Sequence, residues 1–192
     1  MVRGRALGRH PPDLITFAKG VNSGYVPLGG VAISAEIAET FATRPYPGGL
    51  TYSGHPLACA AAVATINVME EEGVVENAAR IGEDVIGPAL AEIADRHPSV
   101  GEVRGLGVFW ALELVRDKGT REPLVPYNAA GADNAPMAEF AAACKKSGLW
   151  PFVNMNRTHV VPPCTVTEAE AKEGLALLDE ALTVADRHAV AG

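Results

Sequence analysis

The sequence has few cysteines, no long apolar run, no excess of basic residues and no internal repeat. Its cysteines, Cys59, Cys144 and Cys164, are odd in number and lack the paired spacing of a metal site. They exclude a disulfide framework and read as reduced packing residues. A membrane-spanning helix needs roughly 18–20 consecutive apolar residues, and none are found. The opening residues hold Arg3, Arg5 and Arg9 without an apolar core, which excludes a secretory signal. That basic, acid-free start has the loose character of a transit peptide but is too short to carry the reading, so the cytoplasm is the expected location. Neither the dinucleotide-binding GxGxxG spacing nor the Walker spacing occurs, which weakens a nucleotide-binding reading.

What is there describes a globular body. Hydrophobic residues make up 48% and charged residues 20% of 192, enough for a substantial core. The formal charge of -7 argues against nucleic acid or an anionic membrane as a general partner.

Leu14 to Ala18 and Val31 to Ser34 are short apolar runs bounded by Gly and Pro, and they read as buried strands. Ser34 is placed to cap a helix over Ala35 to Ala42, with Glu36 in its first turn. Pro56 suits the first turn of a helix running to about Glu72, apolar nearly all round and so expected to be buried on several sides. At Gly73 the composition turns amphipathic, which predicts a domain boundary and a single helix over Val75 to Asp95. Strands are expected at Val100 to Val103, Val108 to Val115, Trp150 to Val153 and Thr158 to Val161. A polar loop over Arg116 to Ala132 and a helix over Met137 to Lys146 lie among them. Thr167 with Glu170 forms a capping box that opens a last helix with apolar Ala171, Leu175, Leu178 and Leu182 on one face.

Lys19 is the candidate for chemistry. It ends the first apolar run and opens a turn rich in glycine, VNSGYVPLGG. At a buried strand end its ammonium form would be disfavoured and its pKa lowered, the condition for a lysine that bonds to carbonyl carbons. A lone lysine of this kind is more often a solvated strand end; the length of the surrounding match decides otherwise.

The stretch PDLITFAKGVNSGYVPLGGVAIS closely resembles the lysine segment of class III aminotransferases, a pyridoxal-phosphate family. A second segment, TYSGHPLACAA from Thr51, resembles another of the family's motifs, and residues 100–107 and 160–167 resemble its C-terminal domain. The resemblance covers Pro12 to about Arg187. It implies an α/β chain of fold-type I, made of the end of the large cofactor-binding domain (1–73) and an α+β C-terminal small domain (74–192). It implies pyridoxal 5'-phosphate held covalently by Lys19, whose amine would also move a substrate proton, and a homodimer in which Thr51 binds the phosphate of the neighbouring subunit's cofactor. The reaction implied moves an amino group between an amine or amino acid and a keto acid. Tyr25, with Trp150, Phe152 and the SGHP after Thr51, most resembles the ω-amino acid:pyruvate subgroup.

Family members are much longer, and the unmatched part is their N-terminal half, including the groups that hold the cofactor ring. The chain therefore reads as N-terminally truncated, with MVRGRALGRHP a divergent or artificial start. The alternative is a catalytically inactive remnant that only folds and associates.

Several residues have plainer readings. His55, between Gly54 and Pro56, reads as the residue leading into a helix, Arg104 as structural, Cys59 as packing and Glu70 to Glu72 as a solvated helix end. Arg157 is a candidate for the substrate carboxylate, because a guanidinium grips it through two parallel bonds. The family places that arginine where this chain has Phe152 or His159, so a ligand and a solvated turn arginine both remain open for Arg157. No metal site is expected.

Overall fold

The computed structural model describes residues 12–190. The chain divides into two compact units, one ending at Glu72 and one beginning at Gly73.

The first unit is built on a two-stranded antiparallel ribbon. Strand β1 (Leu14–Ala18) pairs with β2 (Gly29–Ile33), with Leu14 opposite Ile33 and Ala18 opposite Gly29. Gly30 lies under the ring of Phe17, where a Cβ would meet the aromatic Cζ at 2.3 Å, so the pair is an aromatic laid over a glycine. Helix α1 (Ala35–Thr40) follows, its first turn capped by Ser34 Oγ, which accepts from the Ile37 amide at 3.4 Å. Helix α2 (Pro56–Glu71) packs against the turn over Lys19–Asn22.

Two expectations fail here. The apolar runs of β1 and β2 were read as buried, yet every residue of β1 is exposed, Leu14 by 56%. Helix α2 was read as buried on several sides, yet only Ala58 and Ala62 are buried and Leu57 is 63% exposed. A two-stranded ribbon and two helices have too few faces to cover one another. The apolar pattern was correct; within this unit it has nothing to pack on. Cys59 and Cys164 are also exposed, so only Cys144 is a packing cysteine.

The second unit has a closed core. Helix α3 (Val74–Ile81) continues through a π-helical turn (Gly82–Ile86) into α4 (Gly87–Arg96). Where the sequence predicted one helix, the structure places a widened turn, and two features explain it. Gly82 lies against the Gly107 backbone, where a Cβ would stand 1.9 Å from the Gly107 carbonyl oxygen. Pro88, in the first turn of α4, has no N–H to continue a regular ladder.

Strands β3 (Val100–Leu106), β4 (Phe109–Asp117), β6 (Phe152–Asn154) and β7 (Arg157–Val160) form an antiparallel sheet in the order β3-β4-β7-β6. The short β5 (Glu122–Pro123), inside the segment read as loop, pairs with β4. Helices α5 (Ala135–Lys146) and α6 (Glu168–Asp186) complete the unit. Leu112 and Leu114 of β4 alternate into the core beside Ile81, Leu90, Phe140, Leu178 and Leu182, all fully buried. Burying each such side chain contributes about 1.5–3 kcal/mol. The capping box of α6 is formed: the Glu170 amide donates to Thr167 Oγ1 at 3.3 Å and the Thr167 amide to Glu170 Oε2 at 2.8 Å. Among the described residues no helix is long and apolar enough to cross a membrane.

Candidate active site

Lys19 leaves the ribbon abruptly. Ala18 is fully extended, with φ -162° and ψ -164°, and Lys19 then takes φ +54°. A non-glycine residue in the left-handed region costs roughly 1–2 kcal/mol, and a turn tightly held by its neighbours can sustain it. Ser23 (φ +53°) and Gly24 (φ +77°) turn the chain the same way. The sequence expected Lys19 to be buried; it is exposed, because the ribbon that carries it is exposed. Among the described residues its amine forms no ion pair.

The element that holds this turn escaped the sequence reading. Asn22 is buried, 1% exposed, and its side chain binds the backbone on both sides of the bend. Its Oδ1 accepts from the Gly24 amide at 3.2 Å and its Nδ2 donates to the Val26 carbonyl. The Asn-Ser-Gly step was the available signal, since asparagine side chains close turns on their own backbone. Tyr25 follows in the same loop, 83% exposed, its amide donating to the Asn22 carbonyl at 3.1 Å.

Thr51 opens the turn that leads into α2. The Ser53 amide donates to the Leu50 carbonyl at 2.9 Å, the Leu50 amide donates to Ser53 Oγ at 3.3 Å, and Gly54 supplies φ +68°. His55 caps the helix by position, as read, and its ring stacks on Tyr52 with centroids 5.9 Å apart. The Thr51 hydroxyl is therefore exposed ahead of a helix N-terminus, the end that favours anions. Lys19, Tyr25 and Thr51 all belong to the first unit.

Arg157 belongs to the second. It opens β7, half-buried, opposite Glu113 on β4 and Asn154 on β6. Glu113 is already engaged by Arg104 Nη1 at 3.2 Å and, through its other oxygen, by Asn156 Nδ2 at 3.4 Å. Arg104, read as structural, is held above its ordinary pKa by its bonds to Glu102 and then Glu113. Two residues beyond Arg157 on the same strand face, His159 lies 5.2 Å from Phe152 and 5.7 Å from Phe109, ring to ring. Phe152 and His159 are direct cross-strand partners. The two positions where the resemblance puts a carboxylate-binding arginine are therefore side by side, so an arginine from either would start from the same part of the sheet.

The family described as "Aminotransferase class-III" matches residues 6–182. This chain belongs to the class III aminotransferase family. The chain is 36% identical over 176 residues to 4-aminobutyrate aminotransferase GabT of Escherichia coli, covering 88% of this chain and 37% of that protein. It is 45% identical over 112 residues to putrescine–pyruvate aminotransferase of Pseudomonas aeruginosa, covering 58% of this chain and 24% of that one. Among solved structures, taurine:2-oxoglutarate aminotransferase from Bifidobacterium kashiwanohense, in complex with PLP and glutamate, superposes with a TM-score of 0.84. The identity there is 39%, over 93% of this chain and 39% of that chain. The mixed α/β fold of this chain is thus that of the family's structures. It spans well under half the length of these relatives.

The residues present suit two parts of pyridoxal phosphate. A free, exposed amine at a fixed backbone bend fits an aldehyde carbon, and an exposed hydroxyl beside a helix N-terminus fits a phosphate. Among the described residues, no group of three or more His, Cys, Asp or Glu side chains could hold a metal ion.

Proposed function

We propose that this chain is the lysine-bearing, C-terminal part of a pyridoxal-phosphate-dependent aminotransferase, transferring an amino group between an amine or amino acid and a keto acid. The observation that carries the proposal is Lys19: a free amine at the end of β1, held at φ +54° within a turn fixed by a buried asparagine. When bound, the cofactor acts as an electron sink that lets the proton on the amine-bearing carbon be removed.

The chain's own residues divide the remaining work. Lys19 Nζ would hold the cofactor covalently and would also serve as the group that takes and returns that proton. Thr51 Oγ1 would donate to the phosphate of a neighbouring subunit's cofactor, in a homodimer. Tyr25 would line a substrate pocket, and Arg157 would hold a substrate carboxylate. Residues 1–73 are the end of the large domain, 74–192 the small domain, and the cytoplasm is the proposed location.

The test uses the protein with pyridoxal phosphate in excess. An absorbance band from the amine-bound cofactor, trapped by borohydride and mapped to Lys19, should form and be absent in Lys19→Ala. No adduct at Lys19, or an unchanged adduct in the variant, would refute the assignment.

The exposed apolar residues of β1, β2 and α2 favour a second reading, a chain that folds and self-associates without catalysis. Sedimentation showing a stable monomer would remove it.

A further inference from the structure

Two of the proposed site residues, Lys19 and Tyr25, lie on one loop, and a single buried side chain holds that loop together. Resting on the functional reading above, we propose that Asn22 is a positioning residue for both. It would fix the direction of the Lys19 amine and the place of the Tyr25 ring without touching cofactor or substrate.

The argument begins with burial. Asn22 is the one polar residue in the described part of the first unit that is fully buried, amid a ribbon and helix otherwise exposed. A buried amide must find partners for its donor and its acceptor, and both of these go to the backbone of its own loop. Oδ1 holds the Gly24 amide at 3.2 Å and Nδ2 holds the Val26 carbonyl. The Asn22 carbonyl takes the Tyr25 amide at 3.1 Å, so residues 24, 25 and 26 are each bound to residue 22.

On the other side, the Ser23 amide donates to the Gly20 carbonyl at 3.3 Å and closes the turn that begins at Lys19. Helix α2 packs on that turn, and Asn22 within it is buried. Lys19 and Ser23 both take positive φ without being glycine, so the loop opposes its own intrinsic preference at two points. The Asn22 bonds hold it there. Without them the turn is free to relax toward ordinary backbone, and the Lys19 amine loses its fixed direction.

The chain contains other lysines, Lys118, Lys145, Lys146 and Lys172. The protein is incubated with limiting pyridoxal phosphate, reduced with borohydride, digested, and each lysine's label quantified by mass spectrometry. In the wild-type chain Lys19 should be labelled at least about tenfold faster than Lys146, the reference to use because Lys118, Lys145 and Lys172 are engaged with the Ala94 carbonyl, the Trp150 ring and Glu168; the bend fixes where the Lys19 side chain starts. Asn22→Ala should bring the ratio of Lys19 to reference label close to one. Asn22→Asp keeps the acceptor for Gly24 but sets a carboxylate oxygen against the Val26 carbonyl, so its ratio should fall between the two; Asn22→Ser, which buries no charge, gives the same comparison where the aspartate variant does not fold.

Hydrogen exchange gives a readout that needs no cofactor. The Gly24 amide should exchange faster in Asn22→Ala and stay protected in Asn22→Asp. A merely structural asparagine would lower the melting temperature while leaving the labelling ratio unchanged in both variants, and that result overturns the proposal. A wild-type chain in which Lys19 is labelled no faster than Lys146 would instead overturn the functional reading, and this inference with it.

Discussion

His97 joins the end of α4 to the far end of α6, and replacing it should loosen the second unit by an amount the geometry sets. The ring is 8% exposed; its Nδ1 lies 2.6 Å from Asp186 Oδ2 and its Nε2 lies 2.9 Å from Asp179 Oδ1. Both nitrogens lie within hydrogen-bond distance of carboxylate oxygens. Hydrogen bonds to charged groups contribute about 1.5–3 kcal/mol each, which caps the pair near 6 kcal/mol. The carboxylates are not orphaned when the ring goes. Asp186 keeps Ser99 Oγ at 2.6 Å and the Ser99 amide at 3.2 Å; Asp179 keeps Arg96 Nη2 at 2.8 Å. Their side chains are 22% and 36% exposed, so water recovers part of the loss.

His97→Ala should therefore cost about 2–4 kcal/mol, less than a fully uncompensated buried pair would. Urea unfolding followed by tryptophan fluorescence reads this directly, because Trp110 and Trp150, the only tryptophans, both lie in the second unit. His97→Ala combined with Asp186→Asn should be non-additive by about 1–3 kcal/mol. A cost below about 0.5 kcal/mol, or simple additivity, would refute the clasp. Acid supplies the sign check. Burial alone pushes the Asp179 carboxyl up, but the bonds from Arg96 and His97 outweigh it and hold the group below its ordinary range. Its contribution is thus complete above the unfolded carboxyl value of about 3.9 and is lost as pH falls through the depressed one. The stability gap between the wild-type chain and Asp179→Asn should shrink as pH drops below about 4.

Gly82→Ala should destabilise by well over the ~1 kcal/mol that alanine normally gains in a helix, since its Cβ would run into the Gly107 carbonyl; a more stable variant in urea would show that the π turn has room. Burial pushes the Cys144 thiol up to about 11, so at neutral pH it stays protonated and should resist iodoacetamide while exposed Cys59 and Cys164 react; equal rates by peptide mapping would contradict its placement. Thr167→Ala removes the side-chain half of the capping box, leaving the backbone amide at 167 to donate to Glu170, and should cost about 1 kcal/mol by urea unfolding, with a cost near zero contradicting the cap.

Local pattern alone determined a great deal. The lysine and threonine segments placed the chain in its family, because each is a run of consecutive residues whose meaning needs no distant contact. The helices starting at Ala35, Pro56 and Glu168 were legible from Ser34, Pro56 and the Thr167–Glu170 pair, since caps act within one turn. Periodicity also marked the core face of α6, where Ala171, Leu175, Leu178 and Leu182 are all buried. Burial of β1, β2 and α2 was not legible, because an apolar run states a capacity to be covered and says nothing about the number of neighbours available to cover it. The π turn was hidden because its cause is a backbone approach between Gly82 and Gly107, far apart in sequence. The adjacency of Phe152 and His159 depended on strand register, and the His97 clasp on three residues brought together by the docking of α6. Lys19 and Thr51 were named by the sequence; the bend at Lys19, and the buried asparagine that holds it, were decided only by the folded loop and the helix packed on it.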